Sequence, residues 1–177
     1  MEKILERLKK GDINAFVEMV NLYDLKLYYI ALSRVKEEKI AREVVQDTFV
    51  DVYFNLRKIK RVKNFNAWII KILINNCNKK FKKKKFTEVS YEEINASIFL
   101  HEDERIIHLI DSMTFIEMIE FLDETDRTIM TLYYRDEHTT KQISEILNIN
   151  ENTVRIRIMR ARKAIKKRIE GDFSERG

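Results

Sequence analysis

Arginine and lysine side chains are concentrated near the end of the chain, where they are suited to bind the phosphates of a nucleic acid. They include Arg155, Arg157, Arg160, Arg162, Lys163, Lys166 and Lys167. Apolar residues recur among them at i, i+4, i+7 and i+11, which predicts a helix with one buried stripe made by Val154, Ile158, Ala161 and Ile165. A basic helix face is most often simply solvated, so charge alone does not establish DNA binding.

The residues before this helix favour DNA binding. Thr139 and Gln142 have the spacing of a capping box, which predicts the start of a short helix. Asn148 follows where a tight turn requires a left-handed backbone, and Asn150 is placed to cap the long helix. A short helix, a three-residue turn and a basic helix form a helix-turn-helix, whose second helix enters a DNA major groove.

Helical periodicity also predicts which side chains of the long helix reach DNA, because they must lie away from the apolar stripe or at its flank. The N-terminal part of such a helix meets base edges. The expected base readers are Asn152, Arg155, Ile156 and Met159. The two apolar side chains among them suit contact with thymine methyl groups. The expected phosphate contacts are Arg160 and Lys163.

Composition predicts an all-α protein. The 177 residues include no proline and three glycines, and 36% of them are charged. No apolar run approaches the ~20 residues of a membrane span, and the first residues lack the apolar core of a secretory signal. Cys77 is the single cysteine, which fits a reducing compartment. We expect a cytoplasmic protein without direct membrane insertion.

Charge is distributed in blocks along the chain. Residues 71–86 contain seven lysines and no acidic residue, whereas residues 87–126 contain twelve acidic residues and one arginine. Basic residues dominate again beyond that point. The changes of sign predict two small helical domains, 1–86 and 113–177, joined by a flexible acidic linker at 87–112.

A polar group lies on one predicted helix of the first domain. Glu43, Gln46 and Asp47 are spaced i, i+3 and i+4, so they share a face apart from the apolar stripe that includes Val45 and Val52. From spacing alone, a solvated helix face explains this group as well as a docking surface does.

Three separate blocks resemble one protein family. Residues 41–49 resemble the Ala-Glu-Asp-x-x-Gln-Glu-x-Phe pattern of the extracytoplasmic-function (ECF) group of sigma-70 RNA polymerase sigma factors. Residues 65–75 are similar to that family's Phe-x-x-Trp-Leu-x-x-Ile-Ala-x-Asn. Residues 153–154 and 160–162 carry the family's Thr-Val and Arg-Ala-Arg. The blocks follow one another in the family's order over nearly the whole chain.

The resemblance implies an alternative sigma factor that binds core RNA polymerase and directs promoter-specific initiation in response to an envelope or external stress. It implies a sigma-2-like helical bundle in the first domain and a sigma-4-like helix-turn-helix in the second. The implied partners are the clamp of the polymerase large subunit, promoter DNA and an anti-sigma factor.

At the residue level, the resemblance implies three binding surfaces. The polymerase clamp would dock on Glu43, Gln46 and Asp47, and the helix-turn-helix would bind the −35 element. The −10 element would contact Phe65, Asn66, Lys71, Asn75, Lys79 and Lys80. An exposed aromatic ring can stack on an unpaired base, and an amide can bond to the edge of that base. Trp68 is better placed for the core, because Ile72 follows it at i+4.

Two other functions compete with this interpretation. A conventional helix-turn-helix regulator would bind DNA without touching polymerase. A DNA-processing enzyme would need clustered carboxylates or a nucleophile in the first domain, where the acidic residues are dispersed. The sequence has no glycine-rich phosphate loop and no nucleophile–base constellation, so we expect no enzymatic activity and no cofactor. The histidines are scattered, and those within the acidic segment are expected to be solvated rather than bound to a metal.

Limited proteolysis tests the domain boundary. Because residues 87–112 are strongly acidic, we expect first cleavage in this segment, followed by accumulation of two helical fragments. Mass spectrometry of the earliest products locates the cut. First cleavage within residues 41–59 would show that the boundary is misplaced.

Overall fold

A computed structural model of the chain describes residues 1–56, 64–81 and 112–174, which form helices and contain no strand. The chain divides into two compact units, Met1–Phe86 and Thr87–Gly177. The predicted all-α fold with two helical domains is therefore confirmed. The predicted linker lies outside the described residues, except for Ser112, which begins a helix.

The first unit contains four described helices. They are α1 (Glu2–Lys9), α2 (Ile13–Val35), α3 (Glu38–Leu56) and α4 (Phe65–Phe81). Helix α3 lies against both α2 and α4, and α1 lies against α2. The core-facing side of α3 is fully buried at Ala41, Val44, Thr48 and Val52. The opposite side of α3 remains open to solvent.

The first helix break follows from residue chemistry at 11–12. Gly11 has a φ of 85°, a left-handed value that glycine adopts without steric cost. Asp12 then caps α2, because its Oδ1 accepts hydrogen bonds from the backbone N–H groups of Asn14 (2.9 Å) and Ala15 (3.4 Å). Its other oxygen accepts a hydrogen bond from Arg7 of α1 at 2.7 Å. The Asp12 side chain thus caps α2 and connects it to α1.

The second unit also contains four described helices. They are α5 (Ser112–Ile119), α6 (Glu124–Met130), α7 (Thr140–Leu147) and α8 (Glu151–Ser174). Helix α6 continues into a wider π-helical turn, Thr131–Arg135. Helix α8 packs against both α6 and α7 and buries the predicted stripe of Val154, Ile158, Ala161 and Ile165.

The predicted turn chemistry of the helix-turn-helix is confirmed. The Thr139 hydroxyl accepts a hydrogen bond from the Gln142 N–H at 3.2 Å, and Gln142 Oε1 accepts from the Thr139 N–H at 2.9 Å. Asn148 is left-handed, with φ 56° and ψ 46°. Asn150 Oδ1 accepts from the N–H of Asn152 at 2.7 Å, so it caps α8. These contacts fix the angle at which α8 leaves the turn.

A charged cluster joins α8 to α6. The guanidinium of Arg157 lies 2.7 Å from Asp126 and 3.3 Å from Asp123, and its side chain is only 12% exposed. Burial raises the pKa of Asp126, while the hydrogen bond from Arg157 acts in the opposite direction. Arg157 therefore offsets the cost of burying a carboxylate and is committed to the fold rather than to a ligand.

Replacing Arg157 tests this cluster. Arg157→Ala is expected to lower the free energy of unfolding by about 2 kcal/mol near pH 7, because it leaves a buried carboxylate without its cation. The folded-state pKa of Asp126 would then lie still further above its unfolded value, so the deficit shrinks as pH falls and the carboxyl is protonated. Urea unfolding near neutral pH and at about pH 4.5 measures both effects. The exposed Lys163→Ala is the control, and an equal loss at both pH values would contradict this account.

Candidate functional site

The outer face of α3 carries the first predicted group. Gln46 and Asp47 are exposed, and Glu43 is half-buried beside them, as the i, i+3, i+4 spacing predicts. Asp51 lies one turn further along the helix. The three carboxylates give this face a negative charge next to the basic end of α4.

Lys80 connects this face to α4. Its Nζ lies 3.2 Å from Glu43 Oε2 and 3.6 Å from Asp47 Oδ2. The hydrogen bond to Glu43 and the charge of Asp47 raise the pKa of the Lys80 amine. Lys80 was predicted among the DNA contacts and the two acids among the polymerase contacts, yet in this structure they bind one another. The two predicted surfaces therefore meet at this point.

A buried amide sets the rotation of α4 against α3. Asn76 is 3% exposed, and its amide donates to Asp51 Oδ2 at 2.9 Å and to the Thr48 hydroxyl at 3.4 Å. Lys79 donates to Asn76 Oδ1 at 2.8 Å and lies 3.7 Å from Asp51. These bonds keep Lys79 and Lys80 on the side of α4 that faces α3.

Two apolar residues on the same face of α3 were missed by the sequence analysis. Val50 is 54% exposed and Phe54 is 64% exposed. They follow Gln46 at i+4 and i+8, so they extend the polar face by two turns. Their position off the buried stripe was the sequence signal that could have revealed them. Because they share a face with the polar group, they are candidates for the same partner surface.

The predicted −10 residues of α4 differ in their exposure to solvent. Lys71 and Asn75 are exposed one turn apart, and the half-buried Trp68 lies one turn before Lys71. Asn66 is half-buried. The expectation that Phe65 offers an exposed ring is wrong: it is 4% exposed and packs against Tyr23 and Trp68, with ring centroids 5.5 and 5.6 Å apart. Burying this ring in the core is more favourable than leaving it in water.

The basic residues of α8 fall into two groups. Arg157 belongs to the carboxylate cluster, and Arg162 donates to the Tyr134 hydroxyl and lies over the rings of Tyr133 and Tyr134. Both therefore hold α8 to the rest of the unit. The predicted DNA contacts that the structure leaves exposed or half-buried are Asn152, Arg155, Met159, Arg160 and Lys163.

Ile156 differs from the prediction. The helical wheel places it away from the stripe, yet its side chain is only 5% exposed. A helical wheel records spacing along one helix and does not show which residues elsewhere in the unit cover a side chain. The expectation that Ile156 lies open to solvent is therefore wrong, while its contact with a base stays a prediction.

The described part of the chain adds two negative findings. Within residues 1–56, 64–81 and 112–174, no group of histidine, cysteine, aspartate and glutamate side chains is arranged to hold a metal ion. None of the helices in these ranges is long and apolar enough to cross a membrane. The histidines of the acidic segment lie outside the described residues.

Comparison with known proteins identifies the family. The family model for sigma-70 region 2 matches residues 19–87, and that for sigma-70, region 4, matches residues 112–165. The ECF RNA polymerase sigma factor SigW of Bacillus subtilis is 31% identical over 181 residues, which cover 96% of each chain. This chain belongs to the ECF group of sigma-70 RNA polymerase sigma factors. The sigma-H factor of Pseudomonas aeruginosa is 26% identical, covering 96% of this chain and 93% of the relative.

Solved structures support the same fold for this sigma factor. CnrH, solved in complex with the cytosolic domain of CnrY, matches with a TM-score of 0.69 at 20% identity and covers 96% of each chain. RpoE of Bartonella quintana, solved with the anti-sigma factor NepR, matches with a TM-score of 0.65 at 18% identity, covering 88% of this chain and 96% of that one. The chain is thus an alternative sigma factor, a transcription initiation factor and not an enzyme. The conventional-regulator interpretation is not favoured.

Alanine substitutions on α8 separate a core residue from a base reader. Ile156→Ala is expected to lower the free energy of unfolding by about 2–4 kcal/mol, because it leaves a cavity. Met159→Ala should lower the free energy of unfolding by less than Ile156→Ala does. If Met159 contacts a base, the substitution should also weaken the preference for one base pair at one promoter position by on the order of 1–3 kcal/mol. Thermal unfolding and binding to promoter variants measure the two effects. An Ile156→Ala protein of normal stability with altered base preference would restore the sequence-based assignment.

Proposed function

We propose that this sigma factor directs core RNA polymerase to promoters through three surfaces, on α3, α4 and α8. The first unit, Met1–Phe86, would bind polymerase and the −10 element, and the helix-turn-helix of the second unit would bind the −35 element. The observation that carries the proposal is the outer face of α3, where exposed polar and apolar side chains stand on a helix whose opposite face already forms the core.

The polymerase surface consists of Glu43, Gln46, Asp47, Val50 and Phe54. The carboxylates complement a basic partner, and electrostatic complementarity governs specificity and association rate. The two apolar side chains supply area that becomes buried on binding, as interface anchors do.

The −10 surface is the exposed side of α4. Lys71 supplies a cation for phosphate, Asn75 an amide for a base edge, and the half-buried Trp68 an aromatic edge beside them. Phe65 supports this surface from the core through its contact with Trp68. Lys79 and Lys80 add positive charge at the end of the helix, where Lys80 also pairs with Glu43 and Asp47.

The −35 surface is the exposed part of α8. Asn152, Arg155 and Met159 lie in its first turns, where a recognition helix meets base edges. Arg160 directly follows Met159, Lys163 lies one turn beyond Met159, and both would bind phosphates. Because Arg157 and Arg162 are held by the fold, we assign the contact to these other side chains.

We further propose an anti-sigma factor as a partner. Both solved relatives reported above are bound to another protein, and the RpoE structure names that protein as an anti-sigma factor. The exposed apolar residues of α3 offer a surface that such a partner could cover, which would keep polymerase away from the sigma factor. Release by an envelope or external stress stays a prediction from the family resemblance.

Variants on α3 test the polymerase surface. The pair Gln46→Ala and Asp47→Lys, and separately Val50→Asp, should each abolish or strongly weaken co-purification with core polymerase. The double variant places a lysine opposite a basic surface of the partner, and Val50→Asp buries an unpaired charge at the interface. Each change should weaken the free energy of association by several kcal/mol. Stability should change by only about 0.5 kcal/mol or less, because the replaced side chains are exposed.

Asp24→Lys on α2 is the matched control, since it makes the same charge change at another exposed acid of the first unit. It should bind polymerase like the unmodified protein. If all variants bind core polymerase equally well, these residues are not the docking surface. If the unmodified chain never binds core polymerase, the regulator interpretation returns.

A further inference from the structure

Glu151 links the two helices of the helix-turn-helix through a single oxygen. Its Oε1 accepts a hydrogen bond from the Thr140 hydroxyl of α7 at 2.7 Å and another from Arg155 Nη2 at 2.8 Å. The side chains of Glu151 and Arg155 are 36% and 40% exposed, so the pair lies at the surface. Glu151 was not among the residues that the sequence analysis selected.

We propose that Glu151 is a positioning residue that holds Arg155 in the conformation in which it reads one base pair. The inference rests on the proposed −35 readout by α8. Thr140 completes the arrangement by holding the Glu151 carboxylate from the preceding helix. Glu151 would thus determine specificity without being the principal contact to DNA.

The physical basis is the flexibility of arginine. A free arginine side chain samples many rotamers, and ordering it on binding reduces the gain from each new contact. A pre-formed bond to Glu151 restricts those rotamers before DNA arrives, and the guanidinium has five donor hydrogens, so donors remain for a guanine. Hydrogen bonds from Arg155 and Thr140 lower the pKa of Glu151, so the carboxylate stays ionised at neutral pH.

A purely structural role for Glu151 would predict a different result. The N-terminus of α8 is already capped by Asn150, which accepts a hydrogen bond from the Asn152 N–H. A carboxylate beside a DNA-binding helix also repels phosphates, so it lowers affinity for every sequence. If Glu151 acts by positioning Arg155, this loss of affinity is accompanied by a gain in discrimination between base pairs. Removal of Glu151 should raise or maintain overall affinity while lowering specificity, whereas loss of a structural residue should lower both.

The test uses the full chain loaded on core RNA polymerase. A duplex library randomised in the upstream promoter element gives the preferred sequence, and Arg155→Ala identifies the base pair that Arg155 reads. Affinities for the four base pairs at that position are then measured for Glu151→Ala, Glu151→Gln and Thr140→Val. The control is Glu145→Ala, which removes an exposed acid from α7 that forms no ion pair within the described residues.

Glu151→Ala should reduce the preference at that position about three- to fivefold, the size that an exposed ion pair supports, without lowering total affinity. The base preference of Glu151→Gln should lie between that of the unmodified protein and that of Glu151→Ala, because the glutamine carbonyl oxygen still accepts a hydrogen bond. Combined with Arg155→Ala, Glu151→Ala should cause no further change in preference.

Unchanged preference in Glu151→Ala, or equal loss of affinity on every sequence, would overturn the positioning role while leaving promoter readout intact. A further loss of preference when Glu151→Ala is added to Arg155→Ala would also overturn the positioning role. If the unmodified, loaded protein enriches no sequence at all, the −35 readout fails, and this inference fails with it.

Discussion

Burial of the apolar stripe of α8 against α6 and α7 decides which side chains of the second unit can meet a partner. Val154, Ile158 and Ala161 occupy one side of the helix and are almost completely buried. Arg157 and Arg162 are drawn to the flanks by Asp126 and Tyr134. Only the side chains of α8 that do not take part in packing can form a binding surface. Counting positive charges on α8 would overstate that surface.

The first unit obeys the same constraint with a different outcome. Helix α3 packs against α2 and α4 with one side buried, and its opposite side stays open to solvent. The bonds of Lys80 to Glu43 and Asp47 lie on this open side. A basic group of polymerase and a DNA phosphate would each compete for one side of these ion pairs. If α3 docks on polymerase and Lys80 binds DNA as proposed, the two contacts would be linked, with a small coupling because the ion pairs are exposed.

Local patterns were the most predictable part of this chain. The capping box at Thr139, the left-handed Asn148 and the stripe of α8 depend on neighbouring residues, and a sequence shows neighbours directly. Phe65 was misplaced because its burial depends partly on Tyr23, which is distant in sequence. Ile156 lies off the predicted stripe and is nevertheless buried. The ion pairs of Lys80 are equally nonlocal, since they span 37 residues to Glu43. Val50 and Phe54, in contrast, were visible as apolar residues off the stripe, but a search for polar contacts overlooked them.

The central claim is that this chain gives core polymerase the ability to choose promoters. Transcription in vitro of fragmented genomic DNA from the encoding bacterium, with mapping of RNA 5′ ends, tests it most directly. The account predicts discrete start sites that appear only when the chain is added to core polymerase. Those sites should share one upstream and one downstream sequence element at constant spacing. Identical 5′ ends with and without the chain, despite its binding to the same DNA, would contradict the account.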